Sequence, residues 1–305
     1  MPLPDDYLVY PFRKAGPDHS RYAASPYPDR APLALGDGVK LGLWLTVMVE
    51  FFPLNPSGKP FKTPGAMQTP YPDLRHFTTR DYGNRVGIYR MLKVLSDLGI
   101  GATFAVQGAV AERYPTLIKD IQSDGHEICA HGWDTDSLHY TGLDPAVEQG
   151  YIAKTLDTLE AVTGARPKGW ISPARAESFD TPDFLAEAGI AWFGDWAHDQ
   201  LPTAFATKSG PLTTLPLSNE LDDWQILLEY KRPEAEWVTQ VADAATLLRA
   251  EADRFGPQIV SLVARPYVSG QPYRIQTFRE SLVKALEQVD SKAVTAEEIV
   301  GAFSA

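Results

Sequence analysis

Cysteine is the scarcest residue in this chain: Cys129 stands alone among 305 residues. One cysteine excludes an intrachain disulfide and any CxxC metal site. Its place in the apolar segment Glu127–Ala130 suits a small core thiol. Positive charge is also short. Twenty-eight Lys and Arg face 39 Asp and Glu, a formal net charge of −11. That balance argues against a nucleic-acid partner and against anionic membranes. The chain has no apolar run long enough for a bilayer span of ~20 residues; Leu41–Leu54 is interrupted by Glu50 and Pro53. The opening MPLPDDYLVYPFRK has no basic segment followed by an apolar one, so a cytoplasmic location is expected. An enzyme of cell-wall glycan would need export. There is no internal repeat, and no Gly-rich phosphate fingerprint follows a strand, which disfavours a nucleotide-binding sheet.

What is present is an alternation of strands and helices, in a chain whose 44% hydrophobic content can fill a sizeable core. Strands are predicted at Leu41–Glu50, Ala102–Val106, Glu127–Ala130, Gly169–Ser172, Trp192–Trp196, Leu212–Pro216 and Gln258–Val263, with a short one at Ala293–Val294. Helices are predicted at Tyr82–Leu98, Val110–Ser123, Asp144–Thr163, from Thr181, and at Trp237–Phe255, Arg279–Val289 and Thr295–Ser304. Strands and helices alternate about seven times, which means parallel βα units. The fold class read here is α/β, a single (β/α) barrel over residues 39–305, preceded by a proline-rich arm over 1–38. The arm is expected to wrap the surface or a neighbouring subunit. Residues 51–79 form a long Pro/Gly/aromatic loop whose Phe51, Phe52, Phe61 and Tyr71 argue for packing. Arm and loop together would expose much apolar surface on a lone barrel, so a homo-oligomer is expected.

In a barrel the carboxyl ends of the strands converge on one face, where sites are built. Glu50 ends the first strand. His131, Trp133, Asp134, Asp136 and His139 follow the third, and Ser172 closes the fourth. Asp195, Trp196 and Asp199 follow the fifth, and Arg265 and Tyr267 the seventh. Carboxylates, imidazoles and a guanidinium around one mouth suit hydrolysis of a C–N bond in a small-molecule substrate. A base activates water, a cation stabilises the oxyanion, and an acid protonates the leaving nitrogen. Glu50 or Asp134 is the candidate base, His131 the acid/base or water orienter, and Arg265 the oxyanion or carboxylate clamp. Trp133, Asp136, His139, Ser172, Asp195, Trp196, Asp199 and Tyr267 are candidate substrate contacts. Each has a plainer reading. Glu50 could simply pair with Arg265, Asp195 and Asp199 could cap the segments that follow them, and the aromatics could pack.

The segment ATFAVQGAVAERYPTLIKDIQSDGHEICAHG resembles the polysaccharide deacetylase (NodB-homology) family, with its A-T-F-F-V strand, A-E-R-x-P helix and G-H-E-I-x-x-H-G strand. TRDYGNRVGIYRML and GWISPARAESFDTPDFLAEAGI resemble its allantoinase-like, cytoplasmic branch. The resemblance spans roughly Leu41 to Ile275 and implies a distorted (β/α)7 barrel that hydrolyses non-peptide amide bonds. The metal-dependent deacetylases carry an Asp motif after the first strand, a His-x-x-x-His motif and a late histidine. Here Met48, Thr135 and Arg265 occupy the corresponding places. Zinc wants about three protein ligands and an open water position; Glu50, His131 and, if its loop folds back, His139 would have to supply them. The expectation is no cofactor, with Zn2+ as the alternative.

Three functions follow from these residues. One is an amidohydrolase of a small amide, cyclic ureide or imide. Another is a zinc-dependent N-deacetylase of an acetylated sugar. The third is a non-catalytic binding protein on a degraded deacetylase scaffold.

Overall fold

The computed structural model describes residues 19–60 and 72–304. Its strands are β1 (Leu41–Val49), β2 (Thr103–Val106), β3 (Glu127–Ala130), β4 (Gly169–Trp170), β5 (Trp192–Phe193), β6 (Thr203–Thr207), β7 (Gly210–Thr214), β8 (Gln258–Ala264) and β9 (Ser291–Ala293). β6 folds back on β7 as an antiparallel hairpin, and β9 pairs in parallel with the start of β1. The remaining strands run parallel in the order β7-β5-β4-β3-β2-β1-β8. The ring closes between β8 and the chain beyond β7. There the Val263 N–H donates to Leu221 O at 3.3 Å, and Asp222 bridges Val263. The architecture is the distorted (β/α)7 barrel expected from the alternation and the resemblance.

β1 shows how the sequence builds two layers. All nine of its residues are buried, as in a strand covered on both faces. Leu41, Leu43, Leu45, Val47 and Val49 belong to the layer under the helices. Trp44 and Met48 point the other way, into the barrel, with Cys129 of β3 and Ile259 and Val263 of β8. Side chains alternate along a strand. One more step therefore places Glu50, His131 and Arg265 on the inner side of the mouth. Buried Cys129 sits in the apolar interior, where burial pushes its thiol well above the ordinary range.

The helices are α1 (Leu74–Tyr82), α2 (Ile88–Leu98), α3 (Gly108–Arg113), α4 (Pro115–Ser123), α5 (Pro145–Thr163), α6 (Thr181–Glu187), α7 (Glu234–Phe255), α8 (Ile275–Leu286) and α9 (Ala296–Ser304). The helix expected from Tyr82 starts earlier. Asp73 caps it by accepting the His76 N–H at 3.0 Å, and a π turn, Gly83–Gly87, joins α1 to α2. The glycines that obscure this helix in the sequence have a packing reason. A Cβ on Gly87 would sit 2.2 Å from the Pro266 carbonyl oxygen. The helix expected at 110–123 is interrupted at Tyr114 because Pro115 cannot continue the hydrogen-bond ladder.

The described part of the arm lies on its own barrel. Leu33 and Leu35 are buried, Arg21 pairs with Asp183, and Arg30 pairs with Asp199. Phe52 is buried against Tyr267 and His76. The first 18 residues of the arm, and Phe61 and Tyr71, lie outside the described residues. Among the described residues no helix is long and apolar enough to cross a membrane.

Candidate active site

Glu50 emerges from β1 with its backbone held on both sides. Asn84 Nδ2 donates to the Glu50 carbonyl at 2.9 Å, and the Phe51 N–H donates to Gln107 Oε1 at 2.6 Å. One carboxylate oxygen lies 3.7 Å from His131 Nε2, and the other lies 3.3 Å from Arg265 Nε. Burial alone would raise the Glu50 carboxyl. His131, Arg265 and Arg80 outweigh it and hold the group below its usual range, as a carboxylate.

His131 is fixed by its other nitrogen. Nδ1 lies 2.8 Å from the Ile171 carbonyl. A carbonyl can only accept, so the ring hydrogen sits on Nδ1 and Nε2 faces the mouth. Nε2 and Glu50 Oε2 are buried with no hydrogen-bond partner among the described residues. The next residue, Gly132, has φ +66°, and a Cβ there would meet the Pro173 ring at 2.4 Å. Only glycine allows that turn, which sets the His131 backbone against the strand-4 loop.

Arg265 is enclosed by carboxyl groups. Besides Glu50, its Nη1 lies 2.5 Å from Asp222 Oδ1 and 3.3 Å from Asp223 Oδ1. Asp223 also accepts the Arg265 backbone N–H at 2.8 Å and the Ser269 hydroxyl at 2.6 Å. Burial drives the Asp223 carboxyl up to about 7; Arg265 opposes the rise and Asp222 adds to it. Burial would lower the Arg265 pKa, but Asp222 and Glu50 reverse that and keep the guanidinium charged.

A second guanidinium, Arg175, reaches the mouth from the loop after β4. It donates to the Leu217 carbonyl at 3.4 Å and stands 3.9 Å from Asp222. Ala174 and Arg175 have φ of 57° and 52°. Left-handed backbone at a residue with a Cβ costs on the order of 1–3 kcal/mol and concentrates at functional sites. Glu50, His131, Arg265 and Tyr267 line one pocket of about 80 Å3 with Met48, Thr135, Arg175, Asp222, Trp224 and Gln225. Burial and the Glu50 charge raise the Tyr267 phenol, so it stays protonated.

The other sequence-derived candidates do not reach this pocket. Asp134 accepts the Asp136 and Ser137 N–H groups at 3.0 and 2.8 Å, so its carboxylate caps a turn and is not placed as a base. Asp136 accepts from Ser57 and Gly58 and ties down the loop after β1. His139 is buried behind the barrel mouth on Glu148, 3.1 Å away. Trp133 packs over Gly108, with Lys154 Nζ 3.3 Å from its ring centre. Ser172 Oγ accepts the Trp170 indole N–H. Asp199 holds Arg30 and caps Gln200 and Leu201. Asp195 and Trp196 border a different opening with Glu177 and His198. Arg175, Asp222, Asp223, Trp224 and Gln225 were absent from the sequence reading. The only trace of them was polar residues in loops that follow strands.

A catalytic zinc does not fit these residues. Among the described residues no three His, Cys, Asp or Glu side chains converge. His139 is turned away, and Thr135 Oγ1 donates to the Phe51 carbonyl at 3.1 Å. Met48 supplies a thioether where a hard ligand is wanted. Arg265 already stands 3.3 Å from Glu50 as a permanent cation. A dication beside it would face like charge in a buried site.

Fold and strand-end polar cluster together define a barrel of the polysaccharide-deacetylase type. Residues 73–192 match the polysaccharide deacetylase family model. A Gibberella zeae protein named peptidoglycan deacetylase-like protein FGM2 is 28% identical over 153 residues, 50% of this chain and 45% of its own length. The chain spans about half the length of the first curated relatives it matches. A Mycobacterium smegmatis structure assigned to the polysaccharide deacetylases is 26% identical, with TM-score 0.74 over 92% of this chain and 94% of that one. The Puue allantoinase structure is 20% identical, with TM-score 0.78 over the same shares, a likeness of fold.

Proposed function

We propose that the chain is a metal-independent hydrolase of a carbon–nitrogen bond in a small amide, cyclic ureide or imide. One observation carries the reading. The Glu50 carboxylate and His131 Nε2 converge in a pocket of about 80 Å3 flanked by Arg175, and Glu50 Oε2 and His131 Nε2 have no hydrogen-bond partner among the described residues. That space suits a small planar molecule and is poorly matched to a sugar polymer. Glu50 takes a proton from water as the oxygen attacks the carbonyl carbon. Arg175 faces the oxygen that gains charge. His131 Nε2 carries the proton to the leaving nitrogen, and the C–N bond breaks. Arg265 has a different task from the clamp read in the sequence. Its Nε faces Glu50 and its Nη1 faces Asp222 and Asp223, so it keeps Glu50 ionised and oriented.

Two other readings have specific support. The family match and the Gibberella relative's name favour an N-deacetylase. Met48, Thr135 and Arg265 favour a binding protein without turnover. A panel of hydantoin, dihydrouracil, allantoin, succinimide and N-acetylglucosamine oligomers, followed by proton NMR, separates them. Ring opening that Glu50→Gln abolishes supports the proposal. Acetate release from the oligomers alone supports the deacetylase. Saturable binding with no product from any compound supports the third reading.

A further inference from the structure

Of the substrate contacts expected from the sequence, Tyr267 alone lines the Glu50 pocket, and the hydrolytic steps leave it without a task. Backbone packing fixes its place. The turn after β8 presses on the π turn between α1 and α2, where a Cβ on Gly83 would lie 2.6 Å from the Tyr267 nitrogen. π turns set into helices recur at functional sites. The ring is held on two sides. Phe52 meets it at a steep angle with ring centres 5.8 Å apart, and the Arg80 guanidinium lies 5.1 Å from its centre.

Those contacts account for the ring and not for the hydroxyl, since a phenylalanine would make them equally well. Tyr267 is 8% exposed. Among the described residues it hydrogen-bonds through its backbone alone, its carbonyl accepting from Gln271 Nε2 at 3.2 Å. A buried tyrosine hydroxyl usually has a partner. This one shares its pocket with Glu50, His131 and Arg175, and the groups whose charge acts on it are Glu50, Arg265, Arg80 and Asp223. Its partner therefore comes from whatever occupies the pocket. Burial, then Glu50, raise the phenol pKa, with Arg265 and Arg80 opposing and Asp223 adding. The hydroxyl keeps its hydrogen at neutral pH and acts as a donor, not as a base.

We infer that the Tyr267 hydroxyl is a second hydrogen-bond donor to the substrate carbonyl oxygen, beside Arg175. The inference rests on the hydrolase reading. Glu50 and His131 Nε2 both accept, so the carbonyl oxygen has to find its donors elsewhere in the pocket. The Arg175 side chain is 21% exposed; the Tyr267 hydroxyl sits on a more deeply buried residue, where a fixed donor is worth more than in water. As the water oxygen bonds to the carbonyl carbon, the C=O π pair moves onto the carbonyl oxygen. The hydrogen bond from Tyr267 strengthens there, and its proton stays on the phenol. When the C–N bond breaks, the pair returns to re-form the carbonyl.

Tyr267→Phe in the full chain is the test. It removes the hydroxyl and keeps the ring against Phe52 and Arg80, so the wild-type fold is expected by thermal melting. On a ring compound that the wild type opens, kcat should fall by about 10^2–10^3, while KM changes less than about threefold. The pH–rate profile should keep both limbs, because the hydroxyl donates without giving up its proton. Wild-type kcat in Tyr267→Phe overturns the inference and leaves the hydrolase reading standing. So does a rise in KM with kcat unchanged, which marks a contact made equally in the ground state. Loss of one limb of the profile overturns it as well, because Tyr267 would then be transferring a proton. If the wild type opens no ring in the panel, the hydrolase reading fails and this inference falls with it.

Discussion

Arg265→Ala is the substitution with the most to say. The side chain it removes is 13% exposed, and its partners Glu50, Asp222 and Asp223 are 11%, 3% and 0% exposed. Removing one member of a buried ion pair costs about 3–5 kcal/mol, because the partner is left charged and unpaired. Three carboxyl groups would lose their shared cation here, so the upper end is expected at neutral pH and above. The loss should depend on pH. Without Arg265 the carboxyl groups can relieve their repulsion only by binding protons in the folded state. Their folded pKa values then rise above the unfolded ~4, and the folded chain binds more protons than the unfolded one. Stability falls by about 1.4 kcal/mol per pH unit for each such proton. The deficit against wild type should therefore be smaller at pH 5 than at pH 8. Urea unfolding at both pH values measures it, and adding Asp222→Asn to the variant should restore part of the loss. A deficit below ~1 kcal/mol that is the same at both pH values would refute this account and return Arg265 to the role of an exposed clamp.

The remaining predictions concern the same cluster. Glu50→Gln should lower kcat/KM by about 10^2–10^4 on any substrate the panel finds, with the wild-type circular dichroism spectrum retained; a smaller loss would remove Glu50 as the base. Asp223, held at about 7 when folded, favours the protonated fold. It should cost wild-type stability as pH rises from ~4 to 7, and Asp223→Asn should flatten that slope in urea unfolding. Gly132→Ala combines a φ of +66° with a Cβ 2.4 Å from Pro173. It should cost about 2–4 kcal/mol and lower turnover by moving His131, read by thermal melting and kinetics. Chelator treatment followed by added zinc should change neither melting temperature nor turnover. Stoichiometric zinc in elemental analysis that Glu50→Ala removes would show that the ligand set has been misjudged.

Some of this was legible in the sequence for a physical reason. β3 falls where its apolar run predicted, and β1 and β8 within one residue. A strand packed on both faces leaves a continuous hydrophobic signature. Glu50, His131 and Arg265 could be found because each ends such a run, and the alternation fixes which way it points. Arg175, Asp222 and Asp223 could not. Arg175 depends on two successive left-handed residues, and no periodicity announces that geometry. Asp222 and Asp223 reach the site only because the chain beyond β7 closes the ring against Val263, a contact between segments some 40 residues apart. The polar run after β3 misled in the other direction. Asp134, Asp136 and His139 look like a site from their position, yet Asp134 caps a turn of its own loop, Asp136 tethers the loop after β1, and His139 pairs with Glu148 of α5. Residues that prefer local hydrogen bonds in turns give the same sequence pattern as a catalytic loop.

The departures at Met48, Thr135 and Arg265 make sense together more readily than as three separate losses. A buried carboxylate such as Glu50 needs a counter-charge. With a guanidinium rather than a metal ion in that role, the ligands at 48 and 135 have nothing to bind. Retained as acids or imidazoles, they would be unpaired polar groups at a buried mouth. Met48 fills its place in the barrel interior as an apolar side chain 2% exposed. Thr135 spends both its N–H and its hydroxyl on the Phe51 carbonyl, at 3.1 Å each. The balance of the cluster follows the same logic. Glu50, Asp222 and Asp223 face Arg175 and Arg265, and a proton held on Asp223 leaves those groups neutral as a set. Replacing only Arg265 by histidine should therefore not restore a metal site. The variant would leave Asp222 and Asp223 short of a cation while Met48 still points inward. It should lose stability as Arg265→Ala does and bind no stoichiometric zinc.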